Sequence, residues 1–177
     1  GVLGHFSAAL AAGRLMGAEV TDHVNALGMA ASTASGVQVY LEPGEAAITG
    51  AAALETTVLD TLHNGKNLAI VDSSIEAHML DLLIYRETAK IAPNKGPHEW
   101  MVCGKSCLAG DIFGEFRFAE PLKPGDRLSF QDAAGYTMVK KNWFNGVRMP
   151  AIAVKELDGS ERLVRDFGYD DFVAALS

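Results

Sequence analysis

The stretch TTVLDTLHNGKNLAIVD (residues 56–72) decides the fold class. Two β-prone runs, Thr56–Leu62 and Asn67–Asp72, flank His63-Asn64-Gly65-Lys66. Asn-Gly between such runs signals a hairpin, because both turn positions call for positive φ. Working outward, Leu82–Arg86 and Glu99–Cys103 read as further strands, and the second leads into the loop CGKSCLAGD (103–111). Arg117–Phe118 falls in the next strand. Pro121-Leu122-Lys123-Pro124-Gly125-Asp126 is turn chemistry, with strands expected at Arg127–Phe130 and Tyr136–Lys140. Asn145-Gly146 marks a turn. Ala151–Glu156 and Arg162–Arg165 around Asp158-Gly159 form a second hairpin, and Tyr169–Leu176 reads as a closing helix with Asp170 and Asp171 in its first turn. Short strands at close spacing predict a mainly β fold, a barrel or sandwich, with antiparallel pairing dominating residues 54–166.

Upstream, Val37–Leu41 is a short apolar run that ends at Glu42-Pro43-Gly44. A buried parallel strand with its functional end at the carboxyl edge has this form. Residues 1–35 differ in character, with nine alanines, five glycines and three charged residues. Short helices are expected at Ser7–Arg14 and Asp22–Ala31, and His5 and His23 are read as surface or packing residues. The expected organisation is therefore 1–35, an Ala/Gly-rich segment; 36–53, the end of one domain; and 54–177, a β-domain.

A net charge of −7 disfavours nucleic acid as a partner and suits a small cationic ligand, though most acidic proteins are acidic only for solubility. No apolar run is long enough for a membrane helix, and no basic segment precedes the apolar opening residues as in a signal peptide. The two cysteines suggest neither a disulfide framework nor a zinc site, so no metal is expected and the cytoplasm is the expected compartment. The chain opens on Gly1, which reads as a processed or partial sequence.

Several side chains could carry chemistry. Cys107 follows Gly104-Lys105-Ser106, and Lys105 could make the thiol reactive; the alternative is a buried, inert cysteine. A cysteine hydrolase would need a histidine base, and nothing in the sequence brings His78 or His98 to Cys107. Glu42 and Asp72 each end an apolar strand and either meet a cation or protonated ring nitrogen or are exposed strand ends. Tyr136 is a core tyrosine or a ligand-binding one. Lys140-Lys141 reads as a solvated strand end, and Met138, Met149 and Trp143 as packing.

Five separated motifs connect these residues. LEPGEA (41–46), NGKNLAIVDSSIEAHMLDLL (64–83), VCGKSCLAGDIFGEF (102–116), DAAGYTMVKKNWFNGVRMP (132–150) and FGYDDFVAALS (167–177) resemble, in order, the C-terminal part of carboxynorspermidine (carboxyspermidine) decarboxylases. These belong to the alanine-racemase-like, fold type III enzymes that use pyridoxal 5'-phosphate. The resemblance covers residues 36–177. It implies that Val37–Glu42 is the last strand of a (β/α)8 barrel and that the remainder is a C-terminal β-domain. It further implies a homodimer with the active site shared between subunits, and a carboxylated triamine as substrate.

The same resemblance implies roles. Glu42 pairs with the pyridine nitrogen of the cofactor, Gly44 lets backbone approach its phosphate, and Tyr136 lies at that phosphate. Cys107 reaches from the partner subunit and helps return a proton to the α-carbon. Asp72 and Asp111 bind the substrate's distal ammonium groups. Glu45 stands where related enzymes often carry a phosphate-binding arginine, so it is given no such role. The lysine that anchors the cofactor belongs to an early barrel strand and should precede Val37, yet residues 1–35 contain no lysine. They read as foreign sequence, such as a shifted reading frame, and the chain alone is expected to be inactive. Two rivals remain: a non-catalytic binding or dimerisation module, and a decarboxylase of the diaminopimelate or ornithine type.

Overall fold

The computed structural model describes residues 47–176. The expected helices at Ser7–Arg14 and Asp22–Ala31, the strand Val37–Leu41, and the site residues Glu42 and Gly44 lie outside these. The chain divides into two compact units, Gly1–Thr49 and Gly50–Ser177, and the elements below belong to the second.

Strands β1 (Leu54–Asn64) and β2 (Lys66–Val71) form the first expected hairpin, antiparallel from Val58↔Val71 to Asn64↔Lys66. Only half of the expected turn geometry is present. Gly65 takes φ 70, while Asn64 stays in the ladder opposite Lys66. The first half of β1 alternates Leu54, Thr56 and Val58 inward. A bulge between Val58 and Asp60 then breaks that alternation and turns the rest of the arm outward.

Two short helices follow, α1 (Ile75–His78) and α2 (Leu80–Tyr85). The strand expected at Leu82–Arg86 is thus corrected to a helix ending at Tyr85. Ser74 caps α1 by accepting from Ala77 N, and Met79, Leu82 and Leu83 turn to the core at helical spacing. Arg86 ends α2 in the left-handed conformation (φ 57).

The chain then crosses to β3 (His98–Cys103), which pairs parallel to β2, and returns antiparallel as β4 (Ile112–Phe118). Strand β5 (Arg127–Phe130) pairs antiparallel with the start of β1. The sheet order is β4-β3-β2-β1-β5, and of its four pairings only β2–β3 is parallel. The sheet is strongly curled, because its two edge strands meet. Phe113 of β4 and Phe130 of β5 stack with ring centroids 4.5 Å apart, 5° from coplanar. The crossover segment closes the remaining gap: Ala89 N donates to Phe113 O and Gln131 N to Lys90 O, both at 2.8 Å. Phe113, Phe116, Phe130, Val58, Val71 and Val102 fill the interior.

The strand expected at Tyr136–Lys140 is also corrected. It is a helical turn, α3 (Tyr136–Val139), opened by Gly135 at φ 64 and closed by Val139 N to Gly135 O and Lys140 N to Tyr136 O. The i, i+4 spacing places Lys140 Nζ 4.5 Å from the centroid of the Tyr136 ring. Lys140, expected as a solvated strand end, also pairs with Asp81 at 2.6 Å. A 3-10 turn at Phe144–Gly146 follows.

Strands β6 (Ile152–Lys155) and β7 (Glu161–Arg165) form a separate two-stranded sheet around Gly159 (φ 85), as the second hairpin signal predicts. Helix α4 (Tyr169–Ala174) matches the expected closing helix, and Trp143 packs against Phe167 and Phe172 beside it. Every residue of β7 is exposed, including the neighbours Leu163 and Val164 on opposite faces of the strand. Among the described residues no helix is long and apolar enough to cross a membrane.

Candidate active site

The loop between β3 and β4 is held by one carboxylate. Asp111 is buried, and its Oδ1 accepts from Ile75 N at 2.7 Å. Its Oδ2 accepts from Ser106 N at 3.0 Å and Ser106 Oγ at 2.5 Å. Backbone bonds complete the loop's base: Gly104 N to Asp111 O (2.8 Å), Lys105 N to Ser73 O (3.0 Å) and Asp111 N to Leu108 O (3.1 Å). Glycine is required at 104, because a Cβ there would overlap the Asp111 carboxylate. Asp111 therefore faces its own loop with both oxygens engaged, and Cys107 is carried out to the exposed tip. There Cys107 N donates to Asn145 Oδ1 at 3.1 Å.

The two thiols differ. Cys103 is half-buried, and burial together with the Asp111 charge pushes its pKa up, so it stays protonated. Cys107 is exposed.

Asp72, just past the end of β2, is engaged on one side only. Its Oδ1 accepts from Thr56 Oγ1 (2.5 Å) and Thr57 N (3.0 Å). Its Oδ2 takes no hydrogen bond among the described residues. Asp72 lines an open depression of about 1140 Å³ together with Ser73, His78, Lys105, Thr137 and Lys141. Tyr136, at the start of α3, is exposed. Asp72, Asp111 and Lys105 all act electrostatically on one buried histidine, His78. Among the described residues no three His, Cys, Asp or Glu side chains converge to hold a metal ion.

His78 entered the sequence reading only as a base that a cysteine hydrolase would need, with nothing to bring it to Cys107. Ser74 N donates to its Nδ1 (3.3 Å), so Nε2 carries the proton and donates to Arg148 O (3.1 Å). Burial is the main cause that lowers its pKa from the ordinary 6.5 to about 4; Lys105 acts the same way, while the Arg148 carbonyl, Asp111 and Asp72 oppose it. The unfolded chain therefore binds a proton at His78 that the folded chain refuses. Stability should fall as pH drops from 6.5 towards 4, by about 3 kcal/mol in total. Urea midpoints recorded across that window check this. In His78→Gln the dependence should flatten, and an equally steep fall in that variant would assign it to other groups.

The comparisons with known proteins bear on this loop and its sheet. A family model described as the pyridoxal-dependent decarboxylase C-terminal sheet domain matches residues 21–134, from within the Ala/Gly-rich opening to just short of α3. The chain belongs to this family. It is 67% identical over 141 residues to a carboxynorspermidine/carboxyspermidine decarboxylase of Herminiimonas arsenicoxydans, a match covering 80% of this chain and 39% of that protein. It is 40% identical over 141 residues to a carboxyaminopropylagmatine decarboxylase of Synechocystis, covering 77% of this chain and 36% of the relative. Among solved structures, the carboxynorspermidine decarboxylase of Campylobacter jejuni complexed with norspermidine superposes with a TM-score of 0.72 at 34% identity, over 90% of this chain and 47% of that one. The chain thus spans about two fifths of the length of these curated relatives. The mainly β architecture is that of the family's C-terminal sheet domain.

The described residues carry groups that suit a pyridoxal phosphate site. They offer an exposed thiol on a fixed loop, a carboxylate oxygen without a donor beside an open depression, and an exposed tyrosine, although of the three only Asp72 lines the depression. Sequence reasoning missed Ser106, Asn142 and Asn145 and gave His78 no part beyond a hydrolase base. The only signal for them was their place inside quoted motifs, where Asn145 read as no more than a turn residue.

Proposed function

We propose that this chain contributes the C-terminal sheet domain of a pyridoxal-phosphate-dependent decarboxylase that converts carboxynorspermidine or carboxyspermidine to the triamine, working in the cytoplasm as a homodimer with shared active sites. The supporting observation is the exposed Cys107 held by the buried Asp111 within CGKSCLAGD. Pyridoxal phosphate, when bound, takes up the electron pair left as CO2 departs. Cys107 Sγ holds the proton that replaces CO2 on the α-carbon. Asp72 Oδ2 accepts from a distal ammonium group of the substrate. Asp111 serves that site through the loop, since Oδ2 is engaged by Ser106 and Oδ1 by Ile75 N of α1. Tyr136 would help hold the cofactor phosphate; on the expectation drawn from LEPGEA, Glu42 would pair with the ring nitrogen and Gly44 would admit the phosphate.

The test is CO2 release by this chain complemented with the N-terminal part of the Herminiimonas relative. Carboxynorspermidine or carboxyspermidine should be turned over, and Asp72→Asn should raise KM about tenfold with little change in kcat, because Asn keeps the Oδ1 acceptor for Thr56 and Thr57 but turns an uncharged NH2 group, itself a donor, towards the substrate ammonium. Faster release from diaminopimelate or ornithine would sink this substrate assignment.

A further inference from the structure

We propose that Asn145 is a positioning residue for Cys107, fixing the loop tip from which the thiol delivers its proton; this rests on the reading of Cys107 given above. The two residues are 38 positions apart and meet through one bond, Cys107 N to Asn145 Oδ1 at 3.1 Å. Asn145 sits at φ 60, ψ 17, a left-handed conformation that Asn tolerates better than most side chains. A turn residue needs only that backbone. Here the amide side chain also reaches out of its own turn to the catalytic loop.

The turn is itself anchored. Asn142 Oδ1 accepts from Phe144 N (2.7 Å), Asn142 N donates to Ala77 O (2.9 Å), and Asn142 Nδ2 donates to Glu76 O (3.1 Å). On its far side, His78 Nε2 donates to Arg148 O. Helix α1 therefore holds the turn through Glu76, Ala77 and His78. The same helix holds the base of the Cys107 loop, through Ile75 N on Asp111. The two arms leave one anchor and close on each other at the Cys107–Asn145 bond. Without that bond the loop is tied, among the described residues, through its base: Ser106 to Asp111, Lys105 N to Ser73 O and Leu108 N to Ser106 Oγ. A proton must arrive at one carbon in one geometry, and a thiol on a loose tip loses that alignment.

Two variants separate the acceptor from the backbone. Asn145→Gly keeps the left-handed turn and removes the acceptor, while Asn145→Asp keeps an acceptor oxygen. Hydrogen exchange of the Cys107 amide, measured on the intact chain without cofactor or substrate, should be about two- to tenfold faster in Asn145→Gly and near the parent rate in Asn145→Asp. The near-UV signal of Trp143 reports whether the turn survives. If the glycine variant loses that signal, the aspartate variant decides: retained protection upholds the proposal and lost protection overturns it. In the complemented enzyme, kcat should fall several-fold in Asn145→Gly at unchanged KM and recover in Asn145→Asp. Parent-rate exchange in an intact Asn145→Gly chain overturns the positioning role whatever the thiol does. Full activity of Cys107→Ala overturns the reading of the thiol instead.

Discussion

Asp111→Ala should lower the stability of the chain by about 4 kcal/mol, a large share of what holds a domain of this size together. The carboxylate is buried and accepts from two main-chain N–H groups, Ile75 N and Ser106 N, and from the Ser106 hydroxyl. Alanine leaves both N–H groups without a partner; the buried Ile75 N then costs about 1–3 kcal/mol, and the half-buried Ser106 N less, since water reaches it in part. The hydroxyl can rotate towards another acceptor and adds less. Relief from burying a charge works the other way, but three donors already compensate that charge. Asp111→Asn keeps one acceptor oxygen and turns an NH2 group against the remaining donors, so its loss should be about half as large. Urea unfolding of the three chains provides the measurement. A midpoint for Asp111→Ala within about 1 kcal/mol of the parent would show that the clamp is not what holds the loop.

That clamp also marks where sequence reading stopped. The hairpins around Gly65 and Gly159 were legible because a left-handed glycine between β-prone runs leaves few alternatives. The segments Leu82–Arg86 and Tyr136–Lys140 were not, because five-residue runs with three or four apolar residues suit a strand and a helical turn alike. What decided them lay outside the runs: the Ser74 cap, the Gly135 conformation, and contacts of Leu82 and Lys140 with distant elements. The parallel β2–β3 pairing has no local signature, since strand order is a property of the whole sheet. The loop CGKSCLAGD was legible as a site, but the direction of its carboxylate was not. Asp72 and Asp111 look alike in sequence, and only the fold shows one with an oxygen left over among the described residues and the other with both oxygens engaged.

The largest effect on activity is expected at the thiol. In the chain complemented with a barrel part, Cys107→Ala should lower kcat for carboxynorspermidine by about 10²-fold or more, within the range of a positioned general acid, while KM changes little. Loss of CO2 leaves the bonding pair of the broken C–C bond on the α-carbon side. A proton must then arrive there, and in the proposed role Sγ would supply it and be reprotonated from water. Of the two thiols, Cys107 is the one that suits the proposed role, for it is exposed on a loop bonded at its base by Asp111 and at its tip by Asn145. Cys103 is half-buried, with its pKa pushed up by burial and by Asp111. Cys103→Ala should therefore leave kcat within about twofold of the parent, a difference below 0.5 kcal/mol in barrier. Alanine at 107 keeps the backbone N–H that meets Asn145, so a fall in rate would report the missing proton and not a displaced loop. The product is informative as well, because a carbon waiting longer for its proton has time to accept one elsewhere. If Cys107→Ala leaves both the rate of CO2 release and the identity of the triamine unchanged, the proton comes from another group and the thiol has no part in the step.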